Sequence, residues 1–461
     1  MSKTETFKLK LKEIFTNKGI WSCIILTLIY LIGGYVKYLG IAVVVGAAVL
    51  FIFLPIQQAF CIFLFLQSYS YNSNRYGTYL GPILICFTCA LFIKYCIGLK
   101  KGKYKFYTKI VIMLSAFLVF YLAISFFHKI FAAGFMYITY FPLIYLMFAM
   151  KKEFNIHQGI NYMFGGFISS CTLALLVSVL PACHYDVFYM DGRFNAFLAH
   201  TNHVHMRGVF LLSYYMYRYL KNNLSTLKFV LIYLLCVGFT LASRSKTGIL
   251  LLALFTLLLI ILYLKDDFKH RIKFVAIFAL IILVAMAAGY KIILEIVNRF
   301  VQGDGNFISN FLTGRNDIWL DYLKAIIKNP FVFLFGHGLV AEEVFIVAQN
   351  MPRASHNLYI FLLYRFGLIG CIVLAYFFVV FIKELNKQKP KLIASLPVIW
   401  VCAIGLIENV FNYFGITSII LAFMVLFADT PEKELKQEVE TTSKAEDENV
   451  VKNLKKEKQI S

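Results

Sequence analysis

Long apolar runs, broken by short lysine-rich or polar connections, recur along the chain from Ile20 to Phe427. A helix crossing the hydrocarbon core of a bilayer needs about 20 mostly apolar residues, whereas barrel strands would show short alternating runs. The pattern predicts helices near 20–36, 39–54, 56–70, 78–97, 108–127, 130–150, 159–181, 206–220, 227–243, 247–264, 273–294, 356–382, 391–407 and 409–428. The expected fold is an all-α polytopic membrane protein with about 12–14 transmembrane helices.

Charge orients this array. If the lysine-rich segment 1–19 stays in the cytoplasm, strict alternation places the basic connections Lys100 to Lys109, Lys151–Lys152, Lys221 to Lys228, Lys265 to Lys273 and Lys383 to Lys391 on the same side. All of them then obey the positive-inside rule, and a miscount by one span would put every later one on the wrong side. No small-residue cleavage site follows the first run, which reads as a retained anchor. The expected organisation is a cytoplasmic tail at 1–19, helices over 20–294 with an outer loop near 181–205, a large outer loop at 295–355, helices over 356–428, and a disordered cytoplasmic tail at 429–461.

Composition agrees: 461 residues at 60% hydrophobic and 15% charged cannot fold so that water meets mostly polar surface. The net charge of +21 sits in the short connections, so it reads as membrane orientation and no nucleic-acid partner is expected. The cysteines fall mainly within apolar runs, and Cys86 and Cys89, although spaced as CxxC, read as small packing residues of a span.

The outer side collects the unusual residues. The large loop contains Arg315, then Ile318, Trp319, Tyr322, Leu323, Ile326 and Ile327 at helical spacing, and Asn329-Pro330 as a stop, which predicts an amphipathic interfacial helix. His356 opens the next span, Arg244 and Lys246 lie in a tight turn between spans, and Glu408 lies in another. Ionisable groups are costly to desolvate near a membrane, so Arg193, Arg244, Arg315, His356 and Glu408 on one side suggest a shared polar cavity. Guanidinium forks match phosphate oxygens and an imidazole can take a proton from a hydroxyl, which points to a phosphate leaving group displaced by an alcohol.

Each residue has a plainer reading. Arg244 and Lys246 also suit anchoring to lipid headgroups, and Glu408 suits capping of the last span. His356 also suits hydrogen bonding to backbone at the interface, and His337, between two glycines, reads as a turn residue. Arg315 at a helix N-terminus opposes the helix dipole, which favours a functional reason for its presence. His200, His203 and His205, with His184 and Asp186, are raw material for a metal site, but their spacing matches no ligand signature, so packing or glycan contact is the reading and no metal or other cofactor is expected.

Taken in order, Gly192-Arg193-Phe194 with Thr201-Asn202, Ser243-Arg244-Ser245, Gly314-Arg315-Asn316-Asp317-Ile318-Trp319, Asn329-Pro330 with Gly336-His337-Gly338, and His356-Asn357-Leu358-Tyr359 followed by Gly367-Leu368-Ile369-Gly370 resemble the O-antigen ligase and polymerase superfamily of bacterial polysaccharide assembly. The resemblance covers roughly residues 190 to 375 and departs from the family pattern around His200 to His205, where a proline often precedes the asparagine. It implies a GT-C-like, metal-independent glycosyltransferase that uses a glycan carried on undecaprenyl diphosphate. It assigns Arg244, Arg315 and Arg193 to the donor diphosphate and His356 to the role of base, with Glu408, Lys246 and Asn357 as accessory candidates.

The implied setting is the bacterial cytoplasmic membrane with the site facing outside. The implied partners are the lipid-linked donor, a glycan acceptor, membrane lipid, and a chain-length regulator and flippase. The leading expectation is a polymerase joining lipid-linked repeat units. A ligase moving finished glycan to lipid A core or protein is the alternative, and a transporter, which should carry polar groups at the bilayer midplane, is the reading from another class.

Overall fold

A computed structural model describes residues 17–33, 39–69, 71–72, 77–78, 80–127, 134–178, 189–190, 193–198, 201–264, 294, 298, 315–339, 344–346, 351–385, 392–410 and 415–427. The helices are α1 (Lys18–Gly33), α2 (Leu39–Phe53), α3 (Ile56–Leu66), α4 (Leu80–Lys100), α5 (Thr108–Phe127), α6 (Gly134–Ala149), α7 (Ile156–Ser178), α8 (Thr201–Leu220), α9 (Thr226–Ala242), α10 (Lys246–Leu264), α11 (Arg315–Ile327), α12 (Pro330–Phe335), α13 (Leu358–Leu385), α14 (Leu396–Gly405) and α15 (Gly415–Phe427). Three short antiparallel hairpins complete the described residues: β1 (Tyr71–Asn72) with β2 (Gly77–Thr78), β3 (Tyr189–Met190) with β4 (Arg193–Phe194), and β5 (Val344–Ile346) with β6 (Met351–Arg353).

The protein is an all-α polytopic membrane protein. Every apolar run read from the sequence falls on a helix except 273–294, of which residues 273–293 lie outside the described residues, as do segments 1–16, 299–314 and 428–461. Five helices, α4, α5, α7, α10 and α13, are long and apolar enough to cross a membrane, and shorter apolar helices accompany them. The one clear shift in a boundary concerns α8. It begins at Thr201, so Asn202, His203 and His205, expected in the outer loop near 181–205, form its first turns.

Lipid cannot satisfy polar side chains, and α8 shows the consequence. It is the most polar of the long helices, carrying Asn202, His205, Arg207, Ser213 and Arg218, and nearly all of it is buried among α7, α9, α10 and α14. Outer helices instead expose leucine, isoleucine and valine, as at Leu227, Leu231, Leu257, Ile261 and Ile372. Arg207 lies within α8 rather than at a helix end. Its guanidinium donates to the Gln67 carbonyl at 2.9 Å, and Gln67 Nε2 donates to Thr417 Oγ1 at 2.7 Å, so three segments share one satisfied polar contact.

A second device fixes the entry to the C-terminal helices. Helix α13 breaks at Gly367, where φ is +60°. The break frees carbonyls, and the Gly336-His337-Gly338 turn accepts the task of binding them: His337 N donates to Tyr364 O at 3.0 Å and Gly338 N to Arg365 O at 2.9 Å, while Tyr121 Oη donates to Phe366 O at 2.6 Å. Gly336 and Gly338 have φ of +74° and +81°, and a Cβ on Gly336 would sit 2.2 Å from the Arg365 oxygen. The motif splices two elements together, which accords with His337 as a turn residue.

Candidate functional site

Helix α11 begins at Arg315, as its spacing predicts, and seats Ile318, Tyr322 and Ile326 against Tyr364 of α13. Two polar contacts lock it to the strand that leads into α13. Trp319 Nε1 donates to Ser355 O at 2.9 Å and Tyr322 Oη to Arg353 O at 3.0 Å. Docking the apolar stripe therefore delivers Arg315, at the helix start, to the mouth of α13 beside His356.

Glu408 is the hub of the site. It lies in the bend after α14 with its side chain only 8% exposed, and its amide N–H donates to Ile404 O at 2.8 Å. Arg315 Nη2 contacts Oε1 at 2.8 Å, Asn202 Nδ2 donates to the same oxygen at 2.5 Å, and His356 Nδ1 lies 3.3 Å from Oε2. Arg315 Nη1 also donates to the Ile407 carbonyl. Burial on its own would raise the Glu408 pKa, but the Arg315 charge, followed by the hydrogen bond and charge of His356 and the charge of His205, outweighs it and holds the carboxyl well below the usual carboxylate range. It is a carboxylate throughout the physiological range.

His356 has φ of +47°, the left-handed region that L-residues enter at a cost of about 1–2 kcal/mol. Its neighbours hold it there. Asn357 caps α13, its Oδ1 accepting from Tyr359 N at 2.9 Å and Ile360 N at 3.0 Å, while its Nδ2 donates to Leu406 O at 2.8 Å in the Glu408 bend. Ser355 and Asn357 are buried, yet the His356 side chain keeps 37% of its surface exposed. Nδ1 faces the carboxylate, which leaves Nε2 as the ring nitrogen not engaged by Glu408.

Ser243-Arg244-Ser245 is built to the same plan. Ser243 and Ser245 are buried, with Ser243 Oγ donating to Thr240 O at 2.7 Å and Ser245 Oγ accepting from Gly248 N at 3.3 Å, and the half-buried Arg244 between them has φ of +48°. Lys246 follows as the first residue of α10. This turn is pressed against α8, since a Cβ on Gly248 would lie 2.6 Å from the Cβ of His205. Arg193, on β4, pairs in register with Met190, and the adjacent Phe194 stacks on Phe239 of α9 with ring centroids 6.2 Å apart.

The structure thus unites Arg315, His356 and Glu408 by direct contact, with Asn357 as their scaffold. The turn that carries Arg244 and Lys246 packs through Gly248 on His205, whose charge acts on Glu408, and Arg193 sits on the hairpin packed against α9. Asn202 acquires a role that the sequence reading had not assigned, as a donor to the hub, while His205, read as a packing or glycan-contact residue, packs against Gly248 of the Arg244 turn. Their signal was present as polar residues at i and i+3 on a helix surrounded by apolar ones. His200, His184 and Asp186 lie outside the described residues, and among those described no three His, Cys, Asp or Glu residues form a cluster able to hold a metal.

The arrangement holds a partly exposed imidazole and the Arg315 guanidinium on one buried carboxylate. Residues 229–375 match a family model described as O-Antigen ligase, in support of the O-antigen ligase and polymerase superfamily. The match contains Arg244, Arg315 and His356. Arg193 and Asn202 precede it, and Glu408 follows it. No curated protein and no solved structure matches the chain.

Proposed function

We propose, from the O-antigen ligase domain at residues 229–375, that the chain is a polysaccharide polymerase. It joins oligosaccharide repeat units carried on undecaprenyl diphosphate, at the outer face of the bacterial cytoplasmic membrane, on a GT-C-like scaffold. The observation that carries the reading is the Arg315–Glu408–His356 chain of contacts, which pairs an accessible imidazole with a buried carboxylate.

The step balances without a metal. The acceptor sugar hydroxyl attacks the anomeric carbon of the donor, its proton passes to His356 Nε2, and the bond to the diphosphate oxygen breaks with the electron pair leaving on the lipid diphosphate. A single displacement of this kind inverts the anomeric centre. Glu408 fixes the imidazole tautomer and offsets the positive charge that develops on the ring. Arg315 uses two of its N–H groups on Glu408 and Ile407, which fixes the guanidinium plane in advance, and its remaining donors, with Arg244 and Arg193, meet the departing diphosphate.

A ligase that transfers finished glycan to lipid A core or protein is the second reading, favoured by the description of the matching family model. Purified protein incubated with an undecaprenyl-diphosphate-linked oligosaccharide and no added metal should yield a ladder of longer lipid-linked products. Transfer only to a different acceptor would select the ligase, and no transfer to any acceptor would remove both.

A further inference from the structure

Helix α12 belongs to the stretch 295–355 that the sequence pattern assigns to a large outer loop, yet it does not stand clear of the spans. It is wedged between α5 and α13, two of the helices long and apolar enough to cross a membrane. On one side Phe335 meets Phe120 of α5 with ring centroids 6.1 Å apart. On the other, a Cβ on Gly367 of α13 would sit 2.5 Å from the Leu334 carbonyl. Helix α5 serves as a depth gauge. Its 20 residues, Thr108–Phe127, rise about 30 Å, the thickness of a hydrocarbon core. Phe120 lies 7 residues short of Phe127 (127 minus 120), which puts the Phe335 contact roughly 10 Å inside that end of the span.

The backbone around α12 is made for that depth. A turn inside a bilayer has no water to bond, so its amides must find protein partners. The four consecutive N–H groups that follow α12 all have one: Gly336 donates to Val332 O at 2.7 Å, His337 to Tyr364 O at 3.0 Å, Gly338 to Arg365 O at 2.9 Å, and Leu339 to Ser125 Oγ of α5. At the entry Pro330 brings no N–H, and Asn329 Oδ1 accepts from Phe331 N at 2.9 Å. The side chains agree. Val332 is buried, whereas Phe331, 52% exposed and 5.0 Å from the Phe335 ring, turns outward with Phe333 and Leu334. They extend the exposed apolar surface of the two flanking spans, Val119 and Phe120 on α5 and Leu368 and Ile369 on α13.

Depth, satisfied amides and a continuous apolar surface have one common explanation. We infer that α12 and its Gly336-His337-Gly338 turn form a re-entrant membrane segment, with Phe331, Phe333 and Leu334 docked among the acyl chains of the adjoining leaflet. The partner is the hydrocarbon itself, and no head group is selected. Helix α11 packs on α12, so the segment also holds the helix that begins at Arg315 against the membrane. The inference rests on packing and backbone bonding, and it is independent of which reaction the site performs.

The test places the full-length chain in phosphatidylcholine nanodiscs, where both membrane faces are open to reagents, and uses exposed positions whose substitution leaves the core intact, with melting curves as the check. In Phe331→Trp, the emission gained over wild type should be largely lost when the acyl chains carry bromine, a quencher confined to the hydrocarbon. A charged maleimide, which reacts only in water, should leave Phe331→Cys at the wild-type background over the time in which Lys324→Cys of α11 reacts to completion. Labelling of Phe331→Cys as fast as Lys324→Cys would place α12 in water and overturn the inference. Protection from maleimide without quenching by bromine would overturn it too, because another protein surface would then cover the segment.

Discussion

Ser355-His356-Asn357 and Ser243-Arg244-Ser245 come from different turns, yet they solve the same problem. In each, the outer two side chains are buried and bonded to nearby backbone, and the middle residue takes a left-handed backbone conformation with its side chain at least partly accessible. The difference lies in what the middle residue touches. His356 faces a buried carboxylate at 3.3 Å, whereas Arg244 sits in a turn whose Gly248 packs against His205 and carries a guanidinium in place of an imidazole. Two matched frames, one presenting an imidazole and one a guanidinium, are what the proposed displacement of a diphosphate would call on.

That contrast can be broken most sharply at His356. His356→Ala should reduce transfer by about 10²–10⁴-fold with the fold intact, measured by product ladders and by thermal melting. At the hub, Arg315→Ala leaves Glu408 buried without its nearest cation. It should lower turnover by about 10²–10³-fold and also destabilise the protein, and Arg315→Lys should restore stability better than activity because a single ammonium cannot reproduce the fork.

Glu408→Gln keeps the shape but removes the charge that orients His356, so activity should fall while Asn357 still caps α13. The depressed pKa of Glu408 gives a sign for stability: its contribution is complete above the ordinary carboxylate range of about 4 and is lost as the pH falls below it. Melting curves of wild type and Glu408→Gln should therefore converge as the pH is lowered, and curves that stayed parallel would remove the ion pair from the account. The smallest effect belongs to the second frame. Arg244→Gly relieves the left-handed residue and should raise stability by about 0.5–1 kcal/mol while lowering activity, an opposition that a purely anchoring arginine would not show.

How far the sequence reached can be seen residue by residue. The apolar runs gave helix positions because lipid imposes one simple rule on length and polarity, and the spacing from Ile318 to Ile326 placed α11 with Arg315 at its start. The hub was less legible. Glu408 was one acidic residue in a turn, and nothing local shows that it would meet groups 52, 93 and 206 residues away along the chain. Asn202 and His205 were misplaced in a loop because their polarity masked a helix whose burial comes from its neighbours rather than from lipid. The Gly367 break was hidden for a related reason: a single glycine in an apolar run reads as tolerated until a partner turn is seen to bind the freed carbonyls.

The central claim is that His356, held by Glu408, activates an acceptor hydroxyl against a lipid diphosphate. The most direct measurement is single-turnover transfer from a purified undecaprenyl-diphosphate oligosaccharide, with chelator present, by wild type, His356→Ala and Glu408→Gln. The account predicts full transfer by wild type, almost none by His356→Ala, and an intermediate rate for Glu408→Gln. Transfer by His356→Ala at the wild-type rate would contradict it.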